Sequence, residues 1–272
     1  MQDFKPTPRE MAGSLRRNWS LIATLVKREV IGRYRGSVMG ILWSFFNPLF
    51  MLVIYTFVFS VVFKARWHDG AESKTDFALL LFAGLIVFNL FAECLNRAPT
   101  LIMSNANYVK KVIFPLEILP WATLGSALFH AGISVAVWLL VYSVVYGVPH
   151  VTVLLLPLVL IPMLLMTMGV CWALASLGVF LRDVSHFIGI VTSVLMFMSP
   201  IFYPITALPE KYRTILLANP LAGTIEQARD VMFWGRMPDL KFLSVYLICS
   251  LLIACLGFAW FQKTRKGFAD VI

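Results

Sequence analysis

From Gly40 to Phe63 the chain carries no charged side chain. A run of roughly 24 such residues is long enough for a helix to cross a bilayer core of ~30 Å with some tilt. Comparable runs recur at 77–95, 118–146, 151–181, 187–203 and 242–261. A bilayer core offers no water to satisfy backbone N–H and C=O groups, so each run must bond to itself as a helix. The expectation is an all-α polytopic membrane protein, one transmembrane domain over residues 1–272, with six transmembrane helices at those positions. Composition agrees, since 60% hydrophobic and 14% charged residues lie outside the range of soluble domains. Pro48, inside the first run, predicts a kink. Gly36 and Gly40 form a small-xxx-small pair through which another helix can approach.

The connections carry the polar information. Residues 1–13 read as a loose arm. From Ser14, as N-cap, Leu15, Trp19, Ile22, Val26 and Val30 recur at helical spacing, with Arg16, Arg17, Lys27, Arg28 and Arg35 on the opposite sector. Residues 1–39 are therefore expected to hold an amphipathic helix at the cytoplasmic lipid interface. A surface helix of a soluble segment is the alternative, disfavoured by the span that follows at once. Residues 1–40 are long, charged in both signs and without a cleavage pattern, so the N-terminus is expected in the cytoplasm. Residues 64–76 form an outer loop, and residues 104–117 a basic amphipathic segment at the inner surface. A Gly-Val-Pro-His turn follows the third run, and Arg182-Asp183 separates the fourth from the fifth. Residues 204–241 hold two apolar stretches, 212–218 and 221–234, broken at Asn219-Pro220; neither is long enough to cross, which predicts short re-entrant or surface helices.

The net charge of +9 is mainly a topology signal. About 15 of the 23 Lys and Arg residues fall on the segments assigned inside, as the positive-inside rule requires. Both termini are then cytoplasmic, and no soluble basic domain exists to bind nucleic acid.

Chemistry is sparse. The sequence has no phosphate-binding loop, nucleophile elbow, metalloprotease motif or pair of intramembrane carboxylates, so no catalytic residue is assigned. Cys94, Cys171, Cys249 and Cys255 lie in apolar runs without ligand spacing, so no metal site is expected and they read as buried small hydrophobes. His130, deep in the third run, suits an interhelical hydrogen bond better than a proton relay. Glu93 has Arg97 one turn later as a partner. With a single acid near the membrane, the energy source lies on another chain. Trp43, Phe46, Tyr55 and Phe59 in the first run, with Phe197, Phe202 and Tyr203 in the fifth, can offer flat faces to sugars; for each one alone, a lipid-facing or core role competes.

Three stretches carry a resemblance that covers nearly the whole chain. They are Arg33-Tyr-Arg-Gly-Ser-Val-Met-Gly-Ile-Leu-Trp43 with Asn47-Pro48, Asn107-Tyr-Val-Lys-Lys-Val-Ile-Phe-Pro-Leu-Glu-Ile-Leu-Pro120, and Phe180-Leu-Arg-Asp183 with Ser199-Pro200-Ile-Phe-Tyr-Pro204 and Asn219-Pro220. In order and spacing they resemble the membrane subunit of ABC-2 type polysaccharide exporters. The resemblance implies a bacterial inner-membrane permease working as a homodimer, with two ATPase subunits that carry ATP and Mg, no cofactor of its own, and lipid-linked polysaccharide as substrate. It implies that 104–117 is the coupling segment, with Asn105, Asn107, Tyr108, Lys110, Lys111 and Phe114 facing the ATPase and Arg182 and Asp183 flanking them. Arg28, Arg33 and Arg35 would meet a lipid pyrophosphate, and the seven aromatics named above would line the glycan channel. O-antigen is the first choice of cargo. An ABC-2 exporter of small hydrophobic molecules is the nearer rival. A polytopic lipid-glycan enzyme is the more distant one, since 204–241 offers only scattered Glu210, Glu226, Asp230 and Asp239.

Overall fold

The computed structural model describes residues 6–58, 73–109, 114–207, 209–217 and 219–272, and among these it contains helices and no strand. Phe59, the remainder of the first run, most of the outer loop, Lys110 and Lys111 lie outside the described residues.

Helices α1 (Pro8–Arg17) and α2 (Trp19–Tyr34) open the chain. Thr7 caps α1 by accepting from the Glu10 amide at 3.3 Å, and Pro8 sits in the first turn, where a missing N–H costs nothing. The arm expected to be loose is thus helical from Pro8. Ser14 is not an N-cap; it is buried within α1 and donates to Glu117 at 2.9 Å. Asn18 marks the break instead, its amide donating back to the Ser14 carbonyl at 2.9 Å.

A short 3-10 turn, Gly40–Leu42, leads into α3 (Trp43–Thr56), which contains Pro48. Gly36 and Gly40 correct a second expectation. Their φ angles are 87° and 53°, and nothing lies within 4 Å of where their Cβ atoms would stand. They shape the turn between α2 and α3, where a left-handed backbone favours glycine, and they are not a helix-packing pair.

Helix α4 (Lys74–Arg97) begins at a capping box in which the Ser73 hydroxyl accepts from the Asp76 amide at 3.0 Å. It is buried almost throughout and forms the central post. After it come α5 (Ala106–Val109), α6 (Leu119–Tyr146), α7 (Leu156–Phe180), α8 (Val184–Met198), α9 (Glu210–Leu217), α10 (Pro220–Arg229), α11 (Leu240–Thr264) and α12 (Phe268–Val271). Helices α3, α6, α7, α8 and α10 pack on α4. Helix α7 also packs tightly against α11. A Cβ on Gly257 would stand 2.0 Å from the Gly169 carbonyl oxygen, so the two helices meet backbone to backbone.

Among the described residues, four helical stretches are long and apolar enough to cross a membrane: Lys74–Thr100, Leu116–Tyr146, Val151–Phe180 and Leu240–Val271. Gly40–Thr56 and Val184–Met198 are apolar but shorter. The fifth run therefore differs from its expected 187–203 helix. Ser199 leaves helical geometry at φ −98°, ψ 149°, because the residue before a proline is sterically driven out of the α region. Residues 199–204 continue as non-helical chain. Beyond them, α9 and α10 separate at Asn219-Pro220, Asn219 Oδ1 accepting from the Leu221 amide at 3.0 Å. Of the four free cysteines, Cys94 and Cys171 are buried as expected; Cys249 is exposed on α11.

Candidate functional site

Two regions gather the polar and aromatic residues, and both are built on α4 and its neighbours. At the C-terminal end of α4, Glu29 and Arg33 lie one turn apart on α2, and Glu93 and Arg97 one turn apart on α4. Their charges alternate across the seam: Arg33 donates to Glu93 at 2.6 Å, Arg97 to Glu29 at 2.6 Å, and Arg97 also reaches Glu93 at 3.5 Å. The expected Glu93–Arg97 pair is present, but Arg33 is the closer partner. A guanidinium assigned to a lipid pyrophosphate is therefore already held by a carboxylate.

Beyond this ladder, α2, α3, α4 and α6 line an open cavity of about 560 Å³. Ser44 and Asn47 reach it from α3, Asn89 and Asn96 from α4, and His130 and Ser134 from α6. On α4 the spacing of 89, 93, 96 and 97 puts amides and charges on one face, while Phe82, Leu85 and Ile86 continue that face outward. His130 Nδ1 stands 3.5 Å from the Tyr34 hydroxyl, with the rings edge-on at 5.9 Å. Pro48 lines the same cavity.

An aromatic cluster adjoins the cavity at Tyr55. Tyr55, at the outer end of the cavity, lies 6.1 Å from Phe202 between ring centroids, and Phe202 lies 5.9 Å from Phe197. The Tyr203 hydroxyl donates to the Phe197 carbonyl at 2.9 Å. Four of the seven aromatics expected to line a channel are thus brought together. Phe46 instead packs on Phe45 and Phe50 of its own helix at 5.8 and 6.1 Å, Trp43 is 41% exposed, and Phe59 lies outside the described residues.

The outer cap is held by a residue that sequence reasoning did not single out. Arg229, at the end of α10, is fully buried and spends its fork on backbone carbonyls: Nε donates to Leu80 at 2.9 Å, Nη1 to Pro200 at 2.6 Å and Nη2 to Ile201 at 2.9 Å. Nη1 also donates to Glu226 at 2.8 Å. Two of those acceptors belong to the stretch that Pro200 expels from the helix. Non-helical backbone at membrane depth needs donors from protein, and Arg229 is that donor. Gly84 makes the room, since a Cβ there would lie 3.0 Å from Arg229 Nη2.

At the end of the bundle where α4 stops, the chain folds as a 3-10 turn, Met103–Asn105, and the short α5. Asn105 donates to the Leu101 carbonyl at 2.9 Å, and Asn107 is exposed. Tyr108 stacks on Phe114 at 4.1 Å and 4°, while Arg28 lies over the Tyr108 ring at 5.6 Å and donates to its hydroxyl. Arg265 then donates to the Phe114 carbonyl at 2.7 Å and to Glu117 at 2.5 Å. Glu117 also accepts from Ser14, and its carbonyl accepts from Trp172 Nε1 at 3.0 Å. Glu117, just before α6, thereby ties α1 and the residue after α11 through its carboxylate and α7 through its backbone carbonyl. Arg182 and Asp183 are exposed in the turn between α7 and α8, and Arg35 is exposed just after α2. Glu117, Arg229 and Arg265 share a signal legible in hindsight: each is an ionisable residue next to or within an apolar run, where burial without a partner is costly. Among the described residues no group of three His, Cys, Asp or Glu is placed to hold a metal ion.

The ABC-2 type transporter family matches residues 20–233. The chain is 27% identical over 256 residues to the O-antigen export system permease protein RfbA of Klebsiella pneumoniae, covering 93% of this chain and 95% of that protein. It is 28% identical over 255 residues to the protein of that name from Myxococcus xanthus, with coverage of 93% and 95%. To the polysialic acid transport protein KpsM of Escherichia coli it is 23% identical over 252 residues, covering 90% and 94%. Helices long and apolar enough to cross a membrane, a polar cavity lined by four of the chain's helices and matches along almost its whole length all agree: the chain belongs to the ABC-2 type transporter family, as a transporter membrane subunit and not an enzyme.

Proposed function

We propose that this chain is the permease half of an ATP-driven exporter that carries undecaprenyl-linked polysaccharide, of O-antigen type, from cytoplasm to periplasm across the bacterial inner membrane. Two copies form the channel. Each crosses the membrane six times with both termini in the cytoplasm, α9 and α10 form the re-entrant outer segment, and each copy seats one separate ATPase subunit that binds ATP and Mg. The observation that carries this reading is a gradation along the bundle: ion pairs, then amides and hydroxyls line the cavity, Tyr55 stands at its edge, and Phe202, Phe197 and Tyr203 cluster beyond it. Such a gradation suits a long hydrophilic chain whose C–H faces slide over aromatic rings. The names borne by the relatives support the same cargo class.

Coupling runs through residues 104–117. Lys110 and Lys111 meet acidic side chains of the ATPase, Asn105, Asn107, Tyr108 and Phe114 complete the contact, and Arg182 and Asp183 flank it. ATP binding closes the two ATPases, and the segment moves as a lever because the Tyr108–Phe114 stack and the Arg265–Glu117 pair fix it to the bundle. Arg28 and Arg35 attract the lipid pyrophosphate at the interface, and the exposed Arg33, still paired with Glu93, adds its charge beside them. The test is to purify the tagged permease with its co-expressed ATPase and measure hydrolysis and export. Lys110→Glu with Lys111→Glu should release the ATPase and abolish export; unchanged hydrolysis and export would end the coupling assignment. Export of small hydrophobic molecules with no movement of glycan would favour the rival substrate class.

A further inference from the structure

The cavity between α3, α4 and α6 holds two buried polar atoms that no described residue satisfies. Ser44, 5% exposed, has a buried Oγ without a partner, and so has His130 at Nε2; both residues line the cavity. A buried hydroxyl or imidazole nitrogen left unbonded is uncommon, and the usual reason is a ligand or water that completes it. Asn47, Asn89, Asn96 and Ser134 stand on the same wall, and every one of these six side chains can both donate and accept. The cavity, about 560 Å³, lies in the range of small-molecule sites.

Charge decides what fits. The two guanidiniums at the inner end, Arg33 and Arg97, are matched by Glu93 and Glu29. A phosphate or carboxylate placed in the cavity would meet donors already committed and would lie near the Glu93 carboxylate, whose like charge repels it. A neutral polyol faces no such cost, because each sugar hydroxyl donates and accepts as the wall does. We infer that this cavity is a hydroxyl-reading subsite for the sugar units of a neutral polysaccharide, and that it selects neutral glycans against polyanionic ones. The inference rests on the proposed export function and sharpens its substrate class.

The experiment uses the permease with its ATPase in nanodiscs, saturation-transfer NMR, and two probes of equal length, neutral mannotriose and anionic trigalacturonate. Mannotriose should give a signal at least tenfold above trigalacturonate. His130→Phe with Asn89→Leu should cut it about fivefold or more, and His130→Asn, which keeps donor and acceptor capacity, should restore most of it. Ser44→Ala breaks no bond within the protein, so it guards against misfolding and should lower the signal about threefold with the thermal transition unchanged. Equal signals for both probes, or signals indifferent to all these variants, would overturn the inference. Polysaccharide export in the same variants separates the two levels: a wild type that exports glycan while the variants export equally well defeats the subsite alone. A wild type that moves no polysaccharide defeats the export reading and the subsite with it.

Discussion

Arg229→Met tests whether the outer cap is held by carbonyl capping or by an ion pair. The guanidinium serves three backbone carbonyls and one carboxylate, and these partners differ in what they lose. Leu80 lies within α4, where its carbonyl belongs to the helix ladder, and the Glu226 side chain is 36% exposed and can be hydrated once Arg229 is gone. Pro200 and Ile201 lie in non-helical chain beside buried residues, and each carbonyl left without a donor costs about 1–3 kcal/mol. Removing the buried cation also removes its own desolvation cost, which offsets part of this. The net expectation is a loss of about 2–4 kcal/mol. Glu226→Gln, by contrast, breaks a pair whose acidic side is a third exposed and should cost no more than about 1 kcal/mol. Arg229→Lys keeps the charge but cannot reach three directions with one ammonium, so it should fall between the two. Reversible SDS unfolding of the purified permease, with hydrogen exchange at α10 as a local probe, measures all three. If Glu226→Gln proves as damaging as Arg229→Met, the ion pair holds the cap and the capping argument is wrong.

Further expectations follow from the packing. Gly257→Ala places a methyl 2.0 Å from the Gly169 oxygen, so α7 and α11 must separate and the yield of folded protein should collapse; normal yield and stability would mean the helices do not touch there. Arg265→Met strands a carboxylate whose side chain is 8% exposed and should cost about 3–5 kcal/mol in SDS unfolding, whereas Arg265→Met with Glu117→Leu should recover most of it. Additive losses in that double variant would contradict the pairing. Tyr108→Ala removes the ring that joins Arg28 to Phe114 and should loosen α5, read as faster hydrogen exchange at 106–109 with the rest of the bundle unchanged.

How the chain divides into helices was legible because bilayer physics leaves an uncharged run few alternatives. The apolar stripe Leu15, Trp19, Ile22, Val26 and Val30 does lie on one face, lining the groove between α2 and α6. Asn219-Pro220 splits α9 from α10 as its turn chemistry demands. Sequence also named Glu93 with Arg97, since a one-turn spacing is a local fact. What it could not supply were partners far along the chain. Arg33 meets Glu93 across 60 residues, Arg265 meets Glu117 across 148, and Arg229 meets Leu80 across 149; periodicity carries no information at such separations. The glycines show the same limit. Gly36 and Gly40 looked like a packing pair and are turn residues, whereas Gly169 and Gly257, lone glycines in apolar runs, are where two helices touch. The sequence alone determined that this chain lives in a membrane as helices, because every backbone group there must be bonded locally. Only the tertiary structure decided which buried charges neutralise one another and which polar atoms are left facing a cavity, because both depend on distances between residues that the chain order does not record.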